Sequence, residues 1–517
     1  MVKISRATES ELRNRFPAFE SACHQFFDGA LTAGEFKGVS GKFGCYAERG
    51  GKQGMLRLRF SGGVINKAHI HFLKEAIHTY DPAVIHATTG QALQFHHLSC
   101  DTILSLYQAC FDQGIYCIGG GSDNPRNVTA SPLRGVEEDE YFDVSPYVEA
   151  AASFGISLIP KLHLPRKYKI GFSANRANEG HATFKDLGFL ARPDGCFDVY
   201  GGGGFGAAGG RVGVLLDAQV PAGRILYYIY AFAQMFMACG DYKNRGRARS
   251  RFIATQLGDD EFRKVFHRYL TESKQYDFHF LPQSMAITKQ GDHTAVPQHS
   301  RIHQQKQQGL YYVEYHPLGG TPNKDAFVTL LQYLDDLDDV EIRLSPDETI
   351  YIINLTGAEA SKVAALTEGD AAKNDFEKST CCIGAAICQQ GLRDSQGMFI
   401  HTVAQLRADG VRTDALPSLH ISGCPSSCTT HIINPLGLRG AAKKINGEMK
   451  PAFTVYAGGN SVAHEERLAV QYGTITEEKI PAFLAALNET LTKAKQPFAE
   501  WYAKQEPAFA ELVKQYE

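Results

Sequence analysis

The sequence lacks an apolar run of the ~18–20 residues that a membrane span needs. The nearest approach, Ile225 to Cys239, is uncharged but short and interrupted by Gln234, so it reads as a buried helix. The opening residues, MVKISRATESELRNRF, are charged and carry no apolar signal core, which makes a cytoplasmic location the expectation. No charge sign dominates: the formal net charge is −3, which argues against a general nucleic-acid binder. The C-x2-C knuckles of structural zinc sites are absent. A literal G-x-G-x-x-G occurs at Gly204, Gly206 and Gly209, but residues 225–235 hold no acidic side chain where a dinucleotide fold would place one. No flavin or nicotinamide module is expected.

What is present is globular in composition, with 44% hydrophobic and 21% charged residues. The 517 residues correspond to about three domains at roughly 150 residues each, enough to bury a full core. Twelve cysteines in a reducing compartment do not make a disulfide framework; they are buried small hydrophobes or metal ligands.

The chain repeats itself. Gly62-Gly63 and Gly319-Gly320 lie 257 positions apart, and the same offset pairs Ile85 with Ile342 and Leu98 with Leu355. Between each glycine pair and the strand–turn–strand that follows lies a helical pattern. FDVYGGGG at 197–204 pairs with FTVYAGGN at 453–460 at offset 256. Near-constant offsets indicate a duplicated, two-lobed architecture. The boundaries read as 1–115, 116–280, a polar linker at 281–308, then 309–372, 373–475 and a helical tail at 476–517. The amphipathic tail is expected to pack on the body, with partner binding as the alternative.

Cys382, Cys388, Cys424 and Cys428 stand in CCIGAAIC and GCPSSC, a C-x5-C followed by a C-x3-C. Soft thiolates on Gly- and Pro-rich turns suit an iron–sulfur cluster. Zinc and plain core cysteines remain open on spacing alone, and Cys381 offers a shifted ligand set.

With these residues the sequence resembles the sulfite/nitrite reductase family, which joins C-x5-C to C-P-x-x-C within an internal duplication. The resemblance spans about residues 40 to 475. It implies an α+β fold, with paired ferredoxin-like half-domains and two α/β domains holding sirohaem and a 4Fe-4S cluster between them. Cys382, Cys388, Cys424 and Cys428 would hold the cluster, and Cys428 would bridge to the sirohaem iron. Arg57, Arg126, Lys167 and Lys169 match the family's anion-binding and proton-delivering residues. Arg offers a fixed fork of donors and Lys a charge whose pKa can shift. On their own, the Arg57 strand and LPRKYK would read as solvated basic surface. At offset 257, Arg57 falls on Glu314 and Arg126 on Ile383 beside Cys382, while the lysine pair falls near GCPSSC, so one half is expected to carry cations where the other carries thiolates.

Two departures stand out. The family's hairpin carries arginine in a T-x-R-Q run; here the run is TTGQ with Gly90, leaving Gln91, Gln94 and His96 as polar cofactor contacts. Ser426 stands where the family often has Asn. The family's cofactor contacts otherwise fall on Asn127, on Gly202 and Gly203 in the glycine run, and on Arg245, Arg249 and Arg251 in KNRGRARSR. Glycine N–H groups can form an anion nest, and arginine pairs with carboxylates. Read alone, the basic run is a solvated face or a nucleic-acid contact.

The resemblance thus implies six-electron reduction of sulfite to sulfide, with nitrite as the alternative anion and a non-catalytic metal protein as a remote one. Lys-x-Lys, in place of the Lys-x-Asn of plant-type nitrite reductases, favours sulfite. Electrons would come from a separate ferredoxin or flavoprotein subunit. No nucleic-acid or membrane partner is expected.

Overall fold

A computed structural model describes residues 3–280, 282–283, 287–292 and 298–517. Part of the stretch read as a linker lies outside the described residues.

The first lobe opens with β1 (Cys45–Ala47), β2 (Gly54–Arg59), β3 (Val64–Ile65), β4 (Val84–Thr88) and β5 (Ala92–Leu98). An α/β unit follows with β6 (Thr129–Ala130), β7 (Ile170–Ser173), β8 (Leu187–Ala191), β9 (Cys196–Gly201), β10 (Gly204–Gly206), β11 (Gly209–Arg211) and β12 (Val214–Pro221). The second lobe carries β13 (Ile302–Gln304), β14 (Tyr311–Tyr315), β15 (Glu341–Leu344) and β16 (Ile350–Leu355). Its α/β unit comprises β17 (Thr380–Cys381), β18 (Leu419–Ser422), β19 (Leu436–Ile445), β20 (Glu448–Ala457) and β21 (Val470–Thr476).

The duplication extends to local physics. Asn66 caps the helix Lys67–Tyr80 through His69 N–H, and Asn323 caps Lys324–Asp335 through Ala326 N–H, 257 positions later. Ser99 and Thr356, at the same offset, cap Cys100–Asp112 and Gly357–Leu366. Each cap accepts from an otherwise orphaned helix N–H. Gly62 (φ 56°) and Gly319 (φ 67°) make the same left-handed turn, which glycine adopts without a Cβ clash.

The α/β sheets have matching order, β6–β7–β8–β9–β12 and β17–β18–β19–β20–β21. In each, two parallel pairings precede the antiparallel ones. The ferredoxin-like sheets are β1-β2-β5-β4 and β13-β14-β16-β15-β3. β3 leaves its own lobe and pairs with β15, setting Ile65 opposite Ile342. One apolar core therefore runs through both half-domains, from Leu56 and Phe95 to Val313 and Ile352. The α/β units have separate cores, around Phe172 and Phe232 and around Phe453 and Trp501.

Ile225–Cys239 is a helix in the first of these cores. Among the described residues, no helix is long and apolar enough to cross a membrane. The tail helices Ile480–Ala494 and Phe498–Tyr516 bury Leu487, Trp501 and Phe509 against the second sheet. β13, within the stretch read as linker, adds an edge strand beside β14.

Candidate active site

All four cysteines lie just past the C-terminal ends of two adjacent parallel strands. Cys382 follows β17, and Cys424 and Cys428 follow β18. This is where parallel sheets open a crevice. Cys381, one residue earlier, points into the core and is fully buried. The sulfur of Cys382 accepts from Gly423 N–H at 3.1 Å and lies 3.1 Å from Ser395 Oγ. Burial pushes this thiol up to about 12, with Cys428 adding to the rise. Cys428 is exposed and lies within electrostatic reach of Cys424, Cys388, Lys167 and Lys169; desolvation by the surrounding protein raises its thiol and Lys167 pulls it back. Among the described residues, no three of the four sulfurs crowd within 4.8 Å of one another. A single tetrahedral zinc, with Zn–S of about 2.3 Å, requires tighter packing than that. Four thiols spread around a common space suit a polynuclear cluster.

The cysteine loop docks on the first lobe. Arg49 donates to the Gly391 carbonyl at 2.7 Å, and its N–H donates to the Ile387 carbonyl at 2.8 Å. Thr89, at the tip of the β4–β5 hairpin, donates to the Cys428 carbonyl at 2.9 Å.

The cations come from the first lobe. Arg57 Nη1 and Arg126 Nη1 both donate to the Gly120 carbonyl, at 2.6 and 3.2 Å, and Arg126 also holds the Ser122 carbonyl. Their hydrogen-bond partners are carbonyls of one glycine-rich loop, so neither guanidinium is hydrogen-bonded to a carboxylate there. Arg59, which sequence reasoning passed over, stabilises that loop from below, donating to the carbonyls of Ile118, Pro125 and Arg126. Its alternation with Arg57 on β2 was the available signal. Lys167 and Lys169 precede β7 on the face opposite Tyr168, Ile170 and Phe172, which pack in the core. Burial and then mutual repulsion push Lys167 well below its usual value, and burial and Arg249 push Lys169 down to about 8. An anion would relieve that repulsion.

The residues expected to contact the cofactor have the following surroundings. Gln91 is fully buried, and its amide holds Ala130 N–H and the Ala130 and Leu344 carbonyls, so no polar atom is left for the cleft. His96 is buried on Glu48 at 2.8 Å. Gln94 is buried opposite Arg57, its amide 3.8 Å from Met55 sulfur. Gly202 and Gly203 do not form an open nest: their N–H groups donate to the carbonyls of Asp186 and Lys185, both at 2.9 Å. Arg245 is exposed and pairs with Asp123 at 2.7 Å. Arg249 pairs with fully buried Asp186 at 3.0 Å. Arg251 stacks on Phe252 and keeps a buried Nη1 without a partner. Asn127 donates to the Phe60, Gly90 and Gln91 carbonyls while its Oδ1 stays unpartnered. The arginine run and the β10–β11 hairpin thus retain unmatched donors, such as Arg251 Nη1 and Arg211 Nε, that fit a carboxylate-bearing cofactor.

A Cβ at Gly90 would meet only Thr88 Oγ1, at 3.6 Å. Gly90→Arg is expected to leave stability within about 0.5 kcal/mol, as measured by urea unfolding. Ser426 is exposed.

The lobe alignment also needs correction. The offset of 257 shrinks to 251 between β6 and β17 and to 249 between β7 and β18, because the intervening loops differ in length. Arg126 therefore corresponds to Glu377 and Lys169 to Ser418, not to the cysteine turns. Cations sit before their strands and thiols after theirs. A cavity of about 1820 Å³ is the counterpart of the cation-lined cleft, with Glu314, Ser418 and Asn434 where the cleft has Arg57, Lys169 and Lys185.

Comparison with known proteins places this arrangement. Residues 121–274 match the family described as "Nitrite and sulphite reductase 4Fe-4S domain". A ferredoxin–nitrite reductase of Synechococcus elongatus is 27% identical over 450 residues, covering 84% of this chain and 85% of that one. An assimilatory ferredoxin-dependent nitrite reductase of Haloferax mediterranei is 24% identical, covering 96% and 89%. The solved NirA protein of Mycobacterium tuberculosis superposes with a TM-score of 0.80 at 20% identity, over 97% of both chains, and so shares the fold. Duplicated sheets, a four-thiol turn pair and a facing bank of cations, together with these matches, make the chain similar to the nitrite and sulfite reductases, a likeness that implies sirohaem and a 4Fe-4S cluster as its cofactors.

Proposed function

We propose that this chain reduces nitrite to ammonia with six electrons drawn from a ferredoxin-type donor. The observation that carries the reading is that Lys167 and Lys169 lie within electrostatic reach of Cys428, with Arg57 of β2 and Arg126 meeting at the Gly120 carbonyl. When bound, the cluster and sirohaem supply single electrons at an iron that takes a small oxyanion. The chain supplies the rest. Arg57 and Arg126 hold the anion, their guanidinium planes fixed by the Gly120 carbonyl. Lys169, lowered to about 8 by burial and by its cationic neighbours, gives up a proton near neutrality, and burial and Lys169 hold Lys167 well below its usual value beside it. Cys382, Cys388, Cys424 and Cys428 hold the cluster.

The relatives named as nitrite reductases, matched across most of their length, favour nitrite over the sulfite that Lys-x-Lys suggested. Sulfite stays as the second reading on Lys169 alone. Lys169→Asn should separate them. A second anionic charge meeting one cation at about 8 Å gains roughly 2 kcal/mol in an effective dielectric of about 20. Sulfite turnover should therefore fall about thirtyfold more than nitrite turnover; equal losses would remove Lys169 as the discriminator. The decisive test is a visible spectrum with metal analysis, then reduced-ferredoxin and reduced-viologen assays on both anions. Zinc without iron, or turnover of neither anion, ends the reading.

A further inference from the structure

Lys185 has no role in the scheme above, and its setting is unusual. It is 8% exposed, and among the described residues its amine has no hydrogen bond or ion pair. Its stem crosses Gly171 of β7: a Cβ there would lie 2.7 Å from Lys185 Cγ and 3.0 Å from Cε. Lys167, Lys169 and Gly171 alternate onto one face of that strand, the face opposite the core. Gly171 leaves the gap through which Lys185 joins the two lysines of the cleft.

The charged groups facing Lys185 are Lys169, Asp186, Asp347, Arg249 and His181. The carboxylate of Asp186 is taken by Arg249 and by the Lys169 N–H. Asp347 has a buried Oδ1 without a hydrogen-bond partner, 3.6 Å from His420 Nε2. Asp347 and His420 also line the 1820 Å³ cavity. His181, 6% exposed, lies within electrostatic reach of His420, Lys185 and Lys169. Lys185 thus sits between an open cavity on one side and Lys169 on the other.

We propose that Lys185 is a further proton donor of the reaction, passing its proton to the neutral amine of Lys169 and being recharged from the cavity through His181, His420 and Asp347. In the transfer one N–H bond of the Lys185 ammonium breaks and one forms on Lys169; Lys185 becomes a neutral amine until water in the cavity returns a proton. Burial and then Lys169 push Lys185 down to about 7, which lets it release a proton near neutrality. Burial keeps His181 and His420 neutral, the form that can accept at one nitrogen and release at the other.

This rests on the reading that Lys169 serves the anion. The test uses the holoenzyme with Lys185→Arg and Lys185→Gln. Arginine keeps a charge but cannot release a proton. Nitrite affinity of the resting enzyme, read from its visible spectrum, should change less than about twofold in Lys185→Arg, while kcat falls roughly 10²-fold. A donor works when protonated, so wild-type kcat should decline as pH rises through about 7, and in Lys185→Arg this limb should give way to the one that Lys169 sets near 8. Resting-state nitrite affinity should begin to weaken through about 7 in the wild type and only near 8 in Lys185→Arg. Lys185→Gln should lose both affinity and kcat. Unchanged kcat in Lys185→Arg, or the same pH limb in both proteins, overturns the proposal. The comparison is run on sulfite as well. Failure of the substrate reading then appears as wild-type inactivity on nitrite, with the Lys185 contrast still readable on sulfite.

Discussion

Cys382→Ser should leave the two-lobed fold in place while the protein loses iron and more than about a hundredfold of its turnover. Removing a group outside the ligand shell of a metal site costs about 10–100-fold, so losing a ligand should exceed that. A serine hydroxyl is a hard donor that stays protonated where a thiolate forms, and it does not replace sulfur toward iron. One contact of Cys382 favours a thiolate against the burial that opposes it: the Gly423 N–H donates to the sulfur at 3.1 Å. Cys381→Ser is the control. Its sulfur faces the apolar core around Phe376 and Ile421, so its loss is expected to cost stability and keep the iron. Iron analysis of the two variants separates them. Iron retained in Cys382→Ser and lost in Cys381→Ser would move the ligand set by one residue.

Much of this arrangement was legible in the sequence because it is local. Caps, left-handed glycines and cysteine spacings are set within a few residues, and duplication prints them twice at a fixed offset. The 257-residue register holds through Asn66 and Asn323 and through Ser99 and Thr356. It fails past the first α/β strand, where loops change length, so the counterparts of Arg126 and Lys169 were misplaced. Side-chain destinations were harder to read. Gln91 is a polar residue in a hairpin run that matches a cofactor-contacting one, yet its φ of 52° turns it inward to join two sheets. Gly202 and Gly203 have the composition of a nest, but tertiary packing engages their N–H groups with Lys185 and Asp186. Lys185 and Asp186 sit in FKDLGF, and nothing local marks either as buried.

Asp186 carries the second large prediction. Its carboxylate accepts from the guanidinium of Arg249 at 3.0 Å, from Ser250 Oγ and from the Lys169 N–H at 2.9 Å, and it is fully buried. Three chain segments distant in sequence meet on this one group: the strand that presents the lysines, the loop that carries Lys185, and the arginine run. Asp186→Ala leaves the Arg249 charge, itself 7% exposed, without compensation. Breaking one side of a buried ion pair costs about 3–5 kcal/mol. Urea unfolding should show a loss of that size in the transition of the first α/β unit. Activity should fall with it, because Lys169 loses the contact that fixes its backbone. Asp186→Asn distinguishes charge from shape. The amide oxygen can still accept from the Lys169 N–H, so the backbone stays in place while the charge on Arg249 goes unmatched. If Asp186→Asn is as stable as the parent, Arg249 finds its counter-charge elsewhere, and the ion pair is not what holds these segments together.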